Sequence, residues 1–98
     1  MAQSPMKLES DIHHKYIEKP NISFVSGFGY VNFSKSDYLP SGATFVGGVV
    51  RSLPNEWYIQ GNIGDDTNNI VFNYQNTHTA AIPGTCKLCI FYTLGGGN

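Results

Sequence analysis

From Asn21 onward, apolar residues recur at every second position rather than every third or fourth. "ISFVS" (22–26) places Ile22 and Phe24 on one side, "FGYVNF" (28–33) follows a glycine at 27, and "NIVFNY" (69–74) aligns Ile70, Phe72 and Tyr74. A period of two is the mark of a strand with one face turned to a core. "TFVGGVVRS" (44–52), "EWYIQGNI" (56–63) and "CKLCIFYTL" (86–94) complete the set. Gly47 and Gly48 inside one of these runs predict a bend or the close approach of another chain segment. The separators "SKSDYLPSG" (34–42), "LPN" (53–55), "GDDTNN" (64–69) and "QNTHTAAIPGT" (75–85) are rich in turn-forming residues. Short strands at this spacing predict an all-β domain, an antiparallel β-sandwich or a jelly-roll-like barrel, over residues 21–98.

The first twenty residues read differently. Residues 1–7 are polar and unpatterned, and Leu8, Ile12 and Tyr16 then recur four apart behind Ser10, a helix-capping residue type. Pro20 ends that pattern. The segment 1–20 is therefore expected to be a linker or neck, extended or weakly helical, and the closing "GGGN" a flexible end. Met1–Ser10 contains no apolar run of the kind a secretory signal needs, and no stretch approaches the roughly 20 apolar residues that span a bilayer.

Composition supports strands and narrows the functions. Charged residues make up only 13% of the 98, about half the usual share, and glycine, tyrosine, phenylalanine and asparagine take their place. The net charge of −1 comes without any basic cluster, so nucleic-acid binding is not expected. Membrane insertion is not expected either.

Enzymatic chemistry finds few footholds. Cys86 and Cys89 form a CxxC, but residues three apart on a strand face opposite ways, which disfavours both a shared zinc ion and a disulfide. Two free thiols suit assembly in a reducing cytoplasm. His13 and His14 diverge as neighbours, and His78 lies alone in a threonine-rich loop. No GxSxG elbow is present. A hydrolase or metal enzyme built around His78 and the cysteine pair is the weaker reading, and neither a catalytic residue nor a cofactor or metal is assigned. Asp65 and Asp66 sit in a Gly/Asn turn where aspartate is expected for backbone reasons, and loose calcium binding there stays open.

The stretch "PNEWYIQGN" (54–62) carries the most suggestive chemistry. As a strand it sets Trp57, Ile59 and Ile63 on one face and Tyr58, Gln60 and Asn62 on the other. An aromatic ring beside amides suits a sugar, whose C–H face packs on the ring while its hydroxyls meet amides and carboxylates. The competing reading is an ordinary wet face of an antiparallel sheet. The candidate ligand contacts are Trp57, Tyr58, Gln60, Asn62, Asp65 and Asp66, with Trp57 or Tyr58 stacking.

A short polar lead-in, the Gly/Tyr/Asn-rich run "YLPSGATFVGGVVRS…EWYIQGNI", the strand "NIVFNY" and the final "CKLCIFYT" resemble the small C-terminal receptor-binding heads of bacteriophage tail fibres and baseplate proteins. The likeness covers residues 20–94 and is one of strand order and style. It implies a non-enzymatic adhesion module at the virion tail tip, assembled in the host cytoplasm as a homotrimer beside other tail proteins. Its partner would be a host cell-surface saccharide or protein receptor, and avidity would compensate for weak single sites. The alternative it implies is a structural tail or decoration domain that binds no glycan.

Overall fold

The computed structural model describes residues 11–94. Six strands form two three-stranded antiparallel sheets packed face to face, the predicted sandwich. The first sheet has the order β1 (His13–Phe24), β6 (Ile82–Thr93), β3 (Thr44–Ser52). The second has the order β2 (Gly27–Ser34), β5 (Asn69–Asn76), β4 (Ile59–Asp65). Between β2 and β3 the chain makes one helical turn, α1 (Lys35–Tyr38), where a loop was expected.

The core lies between the sheets. Phe24, Phe33, Ile70, Phe72, Leu88 and Ile90 are fully buried. Burying each of these side chains contributes about 1.5–3 kcal/mol. The alternation in 28–33 and 69–74 decides which residues arrive there: Val31 and Phe33 from β2, and Ile70, Phe72 and Tyr74 from β5, turn inward. The residues between them must therefore face outward.

β6 begins at Ile82, inside the separator expected over 75–85, and two further boundaries depart from expectation. β1 begins at His13, inside the stretch read as a neck, and passes through Pro20. Pro20 does not end it because β1 lies at a sheet edge, where half of the backbone donors have no ladder partner. The ladder with β6 shifts register between Lys19 and Ile22, and Asn21 there adopts φ 60°, a left-handed conformation that asparagine tolerates. The helix-like spacing of Ile12 and Tyr16 is thus not used, while Ser10 and Leu8, like the closing "GGGN", lie outside the described residues.

The second departure concerns β4, which starts at Ile59 rather than Glu56. Asn55 captures the chain first: its side-chain oxygen accepts from the Trp57 N–H at 3.1 Å, and its carbonyl accepts from Tyr58 and Ile59 at 3.1 and 3.0 Å. Residues 54–58 are therefore a turn. Strand β3 keeps its predicted bounds. Its ladder to β6 slips between Phe45 and Gly47, and the side chain of Ile63 in β4 lies only 3.2 Å from where a Cβ on Gly48 would sit. The glycine thus marks the seam where the two sheets meet.

Candidate functional site

The outward residues of β2, β5 and β4 form rows across the sheet. Register pairs Phe28 with Gln75 and Gln75 with Gln60; the next outward row is Tyr30, Asn73 and Asn62. Between these rows lies Gly29–Tyr74–Gly61, in which two residues lack side chains and Tyr74 turns inward. The result is a shallow trough of about 290 Å³, floored by that glycine-rich backbone and walled by Phe28, Gln75 and Gln60 on one side and Asn73 and Asn62 on the other.

The chemistry of this face is unusually uniform. Phe28 is 80% exposed and Tyr30 64%, although large aromatic rings are normally drawn into a core. The amides beside them can each donate and accept hydrogen bonds. β2 and β5 carry no charged residue, and β4 carries only Asp65 at its end. Charge is concentrated on the opposite sheet: Lys15, Glu18 and Lys19 in β1, Arg51 in β3 and Lys87 in β6. There the Arg51 guanidinium sits 4.3 Å from the centre of the Tyr16 ring, a cation–π contact.

The residues singled out in the sequence divide between several places. Gln60 and Asn62 line the trough. Trp57 is not on the strand; it stands in the turn before β4 and is 86% exposed, so the shared face with Ile59 and Ile63 does not exist. Tyr58 is half-buried in the turn that precedes β4 and meets the His78 ring edge-on at 4.6 Å. Asp65 pairs with Lys35 at 2.7 Å. Asp66 closes the β4–β5 turn by accepting from the N–H groups of Asn68 and Asn69 at 2.9 and 2.8 Å. Those two bonds hold its carboxyl below the ordinary carboxylate range. Asp65 lies three residues beyond Asn62, about 10 Å along an extended strand, so neither aspartate joins the amides.

Phe28, Tyr30, Asn73 and Gln75 were not selected from the sequence. The signal was present in "FGYVNF", where Phe28 and Tyr30 share a parity opposite to the core residues Val31 and Phe33. What the sequence did not show is that β2 and β4 flank β5, which sets those rings beside Gln60 and Asn62.

The chain matches no family model, no curated protein and no solved structure.

Cys86 points into the core, while Cys89 faces the other side of β6 between Tyr16 and Val49, so the two thiols do not meet. Burial pushes the Cys86 thiol up to about 12, which keeps it protonated and unreactive. His78 Nδ1 accepts from the Ala80 N–H at 3.1 Å within its own loop. Among the described residues, no three His, Cys, Asp or Glu side chains gather as a metal site, and no helix is long and apolar enough to cross a membrane.

Proposed function

We propose that this domain is a non-enzymatic adhesion module that binds a cell-surface saccharide on the outer face of β2, β5 and β4. The observation that supports it is the pairing of two exposed rings, Phe28 and Tyr30, with the amides Gln60, Asn62, Asn73 and Gln75 on an uncharged face. Sugars present the complementary surface: C–H patches that pack on rings and hydroxyls that exchange hydrogen bonds with amides. Exposed aromatic residues gathered on one face are a frequent mark of a binding surface. Of the contacts expected from sequence, Gln60 and Asn62 remain in this proposal; Trp57, at the turn that leads into β4, is a peripheral contact.

In the setting that the sequence resembles, this face would be the receptor-binding surface of a phage tail-tip head, displayed in three copies. A single shallow site binds weakly, and tethered copies raise the effective concentration of the others.

Binding of the whole chain to host cells and to a saccharide array, beside a Tyr30→Ala/Asn73→Ala variant, tests the proposal. Both side chains point outward from the sheet, so the variant is expected to fold normally and to lose at least tenfold in affinity. Equal binding by parent and variant would remove the site. Capture of another virion protein in place of any glycan would point to the structural role instead.

A further inference from the structure

The trough is open where a pocket for a sugar terminus would be closed. It crosses all three strands of the sheet, and β2 and β4 are the sheet's edges. Among the described residues, no further strand of this sheet blocks either end. At the β4 side it continues: Gly61 and Asn62 also line a second depression of about 360 Å³, whose far wall is Gly48, Val49 and Val50 of β3. A ligand can therefore leave the trough over the β4 edge and run along the seam between the sheets.

Its dimensions follow from sheet geometry. Two strand spacings give a length of about 10 Å, and two residues along a strand give a width of about 7 Å between the walls. That is room for about two sugar rings lying end to end across the strands.

The electrostatics select among sugars. No outward position of these strands is charged; Lys35 is already paired with Asp65, and the Lys19 ammonium that reaches β2 is engaged by the Asn32 carbonyl and the Phe33 ring. A carboxylate or sulfate laid in the trough would lose water and meet only neutral amides, which is unfavourable. Hydroxyls lose nothing comparable, because each amide offers both a donor and an acceptor. Resting on the saccharide reading above, we infer that the trough holds two consecutive internal units of a linear, uncharged glycan.

The test is a calorimetric titration of the whole chain with neutral linear oligosaccharides, such as the gluco- and manno-series from one to four units. Forms blocked at both ends and acidic counterparts, oligogalacturonate and sialyl-lactose, complete the set. Each titration is repeated in low and high salt. The expected result is a gain of about tenfold from monosaccharide to disaccharide, the same affinity for end-blocked chains, and no salt dependence. Asn62→Ala should abolish that gain, while Tyr16→Ala on the opposite sheet should leave it intact. Salt-sensitive binding of the acidic series at the Asn62 face, or loss of binding on blocking the ends, would overturn this inference and leave a saccharide site standing. Absence of binding by every sugar would overturn both.

Discussion

The phenol of Tyr74 occupies the space that a side chain at Gly29 would take. The two residues are register partners across β5 and β2, and a Cβ built on Gly29 would overlap the Tyr74 ring. The ring in turn packs edge-on against Phe24 at 5.0 Å, and its hydroxyl accepts from the Val25 N–H at 3.1 Å. One glycine thus lets the floor of the trough and the core beneath it share a single side chain. Gly29→Ala is expected to cost about 1–3 kcal/mol through overpacking. Tyr74→Phe should cost about 1 kcal/mol through the lost hydrogen bond, lowering Tm by about 4–8 °C. Because the residues touch, the double variant should depart from the sum of the two, which denaturant melts of all four proteins would measure.

Asn76 holds the end of the sandwich. It is buried, donates to the carbonyls of Phe24 at 2.9 Å and Ala80 at 3.2 Å, and accepts from the His78 N–H at 2.9 Å. Asn76→Ala would leave the Phe24 carbonyl buried without that partner. A loss of about 2–3 kcal/mol is expected. Hydrogen exchange should show faster opening of residues 77–81 than of the β5–β6 core. Unchanged protection in that loop would show that Asn76 does not anchor it.

The β4–β5 turn should weaken in acid. Hydrogen bonds from Asn69 and Asn68 lower the folded-state pKa of Asp66 below its ordinary value of 3.8. A depressed carboxylate contributes stability that is fully present above the unfolded pKa and is lost as pH falls through the folded pKa. The loss therefore falls at and below pH ~3.8 rather than near neutrality. Stability curves against pH for the parent and Asp66→Ala should converge in that acid window and separate above it. The Lys35–Asp65 pair, by contrast, is partly solvent-exposed, and Lys35→Ala should change stability by no more than ~1 kcal/mol.

Trp57 gives a direct optical check on the turn at 54–58. With 86% of its surface exposed, its fluorescence should resemble that of free tryptophan in water. It should be readily quenched by acrylamide and shift little on unfolding. A blue-shifted, protected emission would restore the indole to a core or to an interface between copies.

Much of the architecture was legible because alternation and burial are the same fact seen twice. Ile70, Phe72 and Tyr74 in β5 had to share a face, and β3 kept its bounds because a valine-rich run suits a strand. The errors arose where one polar or imino residue outweighed the pattern. Asn55 folded the chain into a turn that the apparent Trp57–Ile59 alternation concealed. Pro20 looked like a terminator, but at an edge strand its missing donor costs little. Most of the candidate site was hidden for another reason: Gln60 and Asn62 could be picked from one strand, whereas Phe28, Tyr30, Asn73 and Gln75 join them only through which strands lie side by side. Strand order is a long-range choice that local periodicity does not encode.

The interruption at Pro20 and Asn21 reaches beyond β1 itself. An unbroken twelve-residue margin would be a template on which another chain could zip, donor to acceptor, along its whole length. Here the margin is split by a ring that has no donor and a backbone that turns away, so the uninterrupted edge shortens to the run His13–Lys19.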